Sequence, residues 1–147
     1  MSTTHGAECH SLAAAIETMR IYRQEPVVQT LWRQGSMLAE GIRKVVEDLN
    51  MEQYFLIKGR PCCLTYATLD EKHEPSQAFR TLFLQETMRR GLLMPSLVIS
   101  YSHSDDDVHR TINGIAAALQ VYRRALDEGI DRYLEGRPVK PVFRKFN

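Results

Sequence analysis

Four groups of residues in this 147-residue chain carry side chains capable of chemistry. The first is Cys9 beside His10, with Cys62 and Cys63 adjacent to each other further on. A zinc site needs a closed set of ligands at short spacings such as C-x2-C or H-x3-H. The nearest further candidate to Cys9 is His5, four residues before it, so no metal site is expected. Three cysteines make an odd count, and neighbours in a strand face opposite ways. No disulfide framework follows, and the thiols are read as free and buried. The second group is Ser102-His103, whose members are sequence neighbours, and adjacency supplies no nucleophile-and-base geometry. The third is Asp105-Asp106-Asp107. Ser104 precedes it where an N-cap oxygen belongs, so the run reads as a capping box with negative charge at the positive end of a helix.

The fourth group is Ser2-Thr3-Thr4-His5-Gly6-Ala7-Glu8, hydroxyls and a glycine placed immediately before a helical pattern. Such a turn can hold a phosphate dianion with its hydroxyls and backbone N–H groups at the helix N-terminus. The same hydroxyls suit a plain helix cap.

The elements that must position these groups follow from periodicity. Leu12, Ile16, Met19 and Tyr22 recur at helical spacing from Cys9 to Arg23, and Glu25-Pro26 breaks the run. A second helix spans Val28 to Leu49, with Leu31, Leu38, Ile42 and Val45 on one stripe. Between Tyr54 and Leu69 the texture becomes Tyr, Phe, Leu, Ile and Thr, divided by Lys58-Gly59-Arg60-Pro61, which predicts two strands and a turn. Pro75 is placed to open a third helix bearing Phe79, Leu82, Phe83 and Glu86, stopped by Arg89-Arg90-Gly91. Leu97 to Tyr101 reads as a further short strand. After Ser104, Val108, Ile112, Ile115, Leu119, Tyr122 and Leu126 define a last helix. The tail from Arg137 to Asn147 has two prolines and no period, so it is expected to lie extended over another surface.

A few short strands among long amphipathic helices predict an α+β fold, a small antiparallel or mixed sheet of about three strands covered by helices. Such a sheet is small for this much apolar helix, so the surplus predicts contact with another domain or subunit. With 19 basic and 18 acidic residues, the chain lacks the clustered positive charge that nucleic acid requires. No apolar run is longer than that from Leu12 to Ile16, whereas a bilayer span takes about 20 residues. No nucleic-acid or membrane partner is expected. No secretory signal is legible at the N-terminus, and a cytoplasmic location is expected.

Several of these segments resemble class III (fold-type I) aminotransferases that depend on pyridoxal phosphate (PLP). Ser2 to Glu8 followed by His10-Ser-Leu-Ala-Ala-Ala-Ile16 is similar to the family segment in which a Thr lies three residues before a Gly and an Ala-rich helix follows. Ser100-Tyr-Ser-His-Ser-Asp-Asp-Asp-Val-His-Arg-Thr-Ile112 is similar to a stretch near the C-terminus of glutamate-1-semialdehyde aminomutase. Tyr122 to Leu126 and Val139 to Phe143 match the tails of aminomutase-like proteins.

The resemblance implies the C-terminal portion of a PLP enzyme that transfers an amino group. Residues 1–8 would be a remnant of the large domain's phosphate turn, 9–49 helices, 54–136 an α+β core and 137–147 the tail, all within one small domain. It implies cofactor contacts for Thr3, Thr4 and Gly6, with Thr3 reaching the phosphate across a dimer interface. It also implies a homodimer through the N-terminal helix region and a large catalytic domain not contained in this chain. The family's Schiff-base lysine lies before this segment, so none of Lys44, Lys58, Lys72, Lys140 and Lys145 takes that place, and no catalytic residue is expected in the chain. The family's Asn-Pro after the glycine is Ala7-Glu8 here. The substrate-carboxylate arginine of other class III transaminases has no counterpart from Leu97 to His103. The competing reading is a non-catalytic binding or oligomerisation module derived from the same domain.

Overall fold

The computed structural model describes residues 8–140. Helix α1 runs over Cys9–Gln24 and α2 over Val27–Asp48. They are separated by Glu25 in extended conformation and by Pro26, which takes the N-cap position of α2 because it has no N–H to leave unsatisfied. Strands β1 (Phe55–Arg60) and β2 (Cys63–Thr68) form an antiparallel hairpin with Phe55 opposite Thr68 and Arg60 opposite Cys63. Helix α3 covers Gln77–Met88 and α4 covers Asp105–Glu128, with a short 3-10 turn at Ile130–Arg132 beyond it. The fold is α+β, as expected.

Three boundaries differ from the sequence reading. The hairpin turn is Pro61-Cys62, and Lys58, Gly59 and Arg60 lie inside β1. Gly59 belongs there because φ is +98° and a Cβ would lie 2.4 Å from the Cys63 carbonyl oxygen, a close approach open to glycine alone. The N-cap of α3 is Ser76, whose hydroxyl accepts from the Phe79 N–H at 3.3 Å, while Pro75 forms a single bridge with Leu69. The third strand expected at Leu97 to Tyr101 reduces to one antiparallel bridge, Leu64 to Leu97, so the sheet has two strands among the described residues. Burial still alternates there, with Leu97 and Ile99 buried and Val98 exposed. The ladder stops because the next hydrogen-bonding positions would pair Tyr66 with Pro95, which has no N–H, and Ile99 with Cys62 in the turn.

The core sits where α2, α3 and α4 meet one another and the hairpin. Phe55, Phe83 and Tyr66 cluster with centroid separations near 5 Å, and Phe79 stacks on Tyr122 at 4.6 Å. Of the stripe expected on the last helix, Val108, Ile115, Leu119 and Tyr122 are buried and Ile112 and Leu126 half-buried. Gly35 of α2 receives the tip of the hairpin, since a Cβ there would lie 1.9 Å from the Pro61 carbonyl oxygen. Helix α2 therefore runs antiparallel to β1, with Gly35 at the tip and Met51, just past its C-terminus, hydrogen-bonding Phe55 at the base.

Helix α1 differs from the others in burying none of its residues. Its stripe is open to solvent, with Leu12, Ile16, Met19 and Tyr22 at 53, 64, 54 and 50% exposure. The surplus of apolar surface expected for the first two helices is thus confined largely to α1, because α2 buries Val27, Leu38, Ala39, Ile42 and Val46. The described part of the tail runs back along α3, where the Val139 N–H donates to Thr81 Oγ1 at 2.9 Å. No helix among the described residues is long and apolar enough to cross a membrane.

Candidate functional site

Thr3, Thr4 and Gly6, the cofactor contacts implied by resemblance, lie outside the described residues. The other chemistry-bearing groups are described, and Ser104, Asp105, Asp107 and His103 among them hold local structure. Ser104 and Asp107 form the expected capping box. The Asp107 N–H donates to Ser104 Oγ at 3.1 Å and the Ser104 N–H to Asp107 Oδ2 at 2.9 Å. The Ser104 N–H and then its hydroxyl hold the Asp107 carboxyl below its ordinary range. Asp105 takes both guanidinium nitrogens of Arg33, at 2.8 and 2.9 Å, and that guanidinium likewise holds its carboxyl low. With the Gln34 amide donating to the His103 carbonyl, this pair ties the start of α4 to α2.

His103 Nδ1 accepts from the Ser100 N–H at 3.1 Å, so it shapes the loop before α4 and does not serve Ser102 as a base. Between that loop, α4 and residues 91–99 lies a cleft of about 320 Å³ lined by Leu38, Met94, Leu97, His103, Asp107 and Thr111. Its His103, Asp107 and Thr111 are already bonded within the loop and helix. Among the described residues, no group of three His, Cys, Asp or Glu side chains is placed to hold a metal ion. The cysteines are free, but not buried as expected. Cys9 and Cys63 are exposed and Cys62 half-buried, because the first lies on the uncovered helix and the others at the hairpin turn.

Two polar features went unassigned in the sequence. Glu86, 3% exposed, closes the C-terminal end of α3. Its carboxylate meets Arg89 at 2.6 Å, Arg90 at 2.8 Å and the Gln85 amide at 3.1 Å, and Arg89 also pairs with Glu135. Burial raises its pKa, but Arg90, Gln85 and Arg89 together outweigh that and leave it lowered. The signal was present as Glu followed by Arg at the third and fourth positions, the spacing that meets on one helix face. The other is Tyr122, whose hydroxyl donates to the Leu69 carbonyl oxygen at 2.6 Å and lies 3.2 Å from that of Tyr54. It fastens the open end of the hairpin to α4.

No protein-family model and no curated protein matches the chain. Among solved structures, it is similar to the Sphingopyxis sp. MTA144 FumI protein in its PLP internal aldimine form, with a TM-score of 0.66 and 23% identity. The chain shares the fold of that span. The match covers 79% of this chain and 28% of the FumI chain, so it corresponds to a little over a quarter of that protein.

Among the described residues, no lysine is placed to form the Schiff base with PLP. A lysine that forms a Schiff base at neutral pH must be desolvated or set beside another cation. Lys44, Lys58, Lys72 and Lys140 are all exposed, and Lys44 lies 4.0 Å from the carboxylate of Asp48. Lys145 lies outside the described residues.

Proposed function

We propose that this chain is the C-terminal segment of a PLP-dependent aminotransferase or aminomutase of the glutamate-1-semialdehyde aminomutase type. In that reading the lysine that binds the cofactor lies upstream, Thr3, Thr4 and Gly6 contact the cofactor phosphate, and the described residues form the scaffold that carries this turn. The observation that supports it is α1, an amphipathic helix with no buried residue in a chain whose fold matches part of a much longer protein. Apolar faces of this extent mark surfaces that another body covers. The large catalytic domain takes that place, and the N-terminal helix region meets a second subunit so that Thr3 reaches its cofactor. The cytoplasm is the proposed compartment, where free thiols such as Cys63 stay reduced.

The test uses the longer protein that contains this sequence. Borohydride reduction with PLP, followed by peptide mapping, is expected to place the adduct before Met1. A stoichiometric adduct on one of the chain's five lysines overturns the reading. Thr3→Ala is expected to weaken PLP binding by about ten- to a hundredfold, the worth of one charge-assisted hydrogen bond, with the unfolding midpoint nearly unchanged. A lowered midpoint with unchanged affinity makes Thr3 a helix cap.

A further inference from the structure

Among the described residues, strand β1 has a partner on one side only. The Leu69 N–H donates to the Tyr54 carbonyl at 2.8 Å, which makes 54 and 69 a hydrogen-bonded pair one step beyond the 55–68 register. Because such pairs alternate along an antiparallel ladder, Leu56 and Lys58 also bond toward β2. Ile57 therefore carries its N–H and C=O on the open edge. Along that edge runs a groove of about 520 Å³, with Phe55, Leu56 and Ile57 on one side and Val46 of α2 on the other.

The charges around this groove are sorted by end. Helix α2 is antiparallel to β1, so Arg43 lies toward the hairpin tip with Lys58 and Arg60, and Glu47 lies toward the base with Glu52. Among the described residues, none of these five charges has an ion-pair partner, and all five are exposed. A strand added antiparallel to β1 meets cations at its beginning and carboxylates at its end, so the complementary strand is acidic first, apolar in the middle and basic last. Glu52 to Arg60 of this same chain reads in that order, Glu-Gln-Tyr-Phe-Leu-Ile-Lys-Gly-Arg.

We propose that the open edge of β1 pairs with β1 of a second copy of this chain, antiparallel about a twofold axis at Ile57, giving a continuous four-stranded sheet. Ile57 exchanges both main-chain hydrogen bonds with its own counterpart, and the acidic base of each groove faces the basic tip of the other. A self-complementary contact of this kind closes on two copies, and strand addition at a sheet edge takes its strength from main-chain bonds, with side chains setting the register. The contact uses no residue of α1 and does not depend on the proposed enzymatic origin.

The test is sedimentation of the 147-residue chain over a range of concentrations in the background Leu12→Glu/Ile16→Glu, which removes association through the α1 stripe without touching a buried residue. This background is expected to form a dimer that weakens with added salt. Ile57→Pro, which removes the N–H facing the open edge and no bond to β2, is expected to abolish it. Lys58→Glu/Arg60→Glu sets acid against acid twice by symmetry and is expected to weaken the dimer at least about tenfold. Adding Glu47→Lys/Glu52→Lys to that variant restores the complementarity and is expected to recover most of the loss. A background that stays monomeric at every concentration overturns the proposal, as does a dimer indifferent to the charge reversals. Should Ile57→Pro fail to fold, the surface charge variants decide alone. The PLP experiments read a different property of a longer protein, so either reading can fail while the other stands.

Discussion

Tyr122→Phe removes one oxygen from the centre of the molecule and leaves the ring. The ring keeps its stacking on Phe79 at 4.6 Å and its edge contact with Phe55 at 6.5 Å, so no cavity larger than a hydroxyl opens. What is lost is the 2.6 Å bond to the Leu69 carbonyl oxygen. The Tyr54 carbonyl keeps the Leu69 N–H as a partner, so Leu69 bears most of the loss. An unpartnered buried acceptor costs about 1–3 kcal/mol. At about 4 °C per kcal/mol for a domain of this size, the unfolding midpoint should drop by roughly 4–12 °C.

The pH dependence gives a second check. Burial pushes the Tyr122 phenol pKa upward, with its bond to Leu69 opposing only part of the shift. Below about pH 10, the ordinary tyrosine value, the phenol is neutral in both folded and unfolded chains and its contribution is fully present. Above it the unfolded phenol ionises while the folded one resists, so stability is lost as pH rises. The Tyr122→Phe variant has no phenol at this position and no such loss. The gap between the two proteins, measured by urea unfolding followed by circular dichroism, should be constant near neutrality and narrow above about pH 10. A gap below about 0.5 kcal/mol at neutral pH, or one that widens in alkali, refutes the role assigned to the hydroxyl.

Two further outcomes follow from the packing. Glu86→Gln is expected to cost about 1–3 kcal/mol at neutral pH, because Arg89 and Arg90 lose a buried carboxylate but stay partly in contact with water. Since the Glu86 pKa is lowered on folding, its contribution is present above the ordinary glutamate range and lost as pH falls through the folded value. The Gln variant should therefore show a shallower acid decline in thermal scans, and parallel declines would contradict the assignment. Gly35→Ala is expected to destabilise by about 1–3 kcal/mol, since its methyl would displace the Pro61 carbonyl. Hydrogen exchange should show the hairpin tip opening first, and unchanged exchange there would remove Gly35 from that role.

Local signals decided much of this fold. The capping box of Ser104 and Asp107, the stripe from Val108 to Tyr122, the break at Pro26 and the two strands between Tyr54 and Leu69 all arise from interactions among residues a few positions apart. Helix periods, caps and prolines act at that range, so a linear sequence displays them. The signal was weaker where one residue type serves two purposes. Gly59 reads as a turn but lies in a strand, because the carbonyl it must approach belongs to the opposite strand. Leu97 to Tyr101 has strand texture, yet its ladder stops because Pro95 falls opposite Tyr66 and Ile99 opposite the Cys62 turn, a matter of register.

The candidate sites divide the same way. Four groups had residue types capable of chemistry; spacing already argued against a metal site and a nucleophile pair, read the acidic run as a helix cap, and left a phosphate turn beside a plain cap at Ser2 to Glu8. Only the tertiary structure showed that Arg33 occupies Asp105 and that Cys63 is open to solvent, while the loop conformation brings the Ser100 N–H to His103. The exposed stripe of α1 and the open, charge-sorted edge of β1 also needed the assembled fold. A sequence lists apolar and charged residues, whereas exposure and pairing depend on which surfaces the rest of the chain has left uncovered.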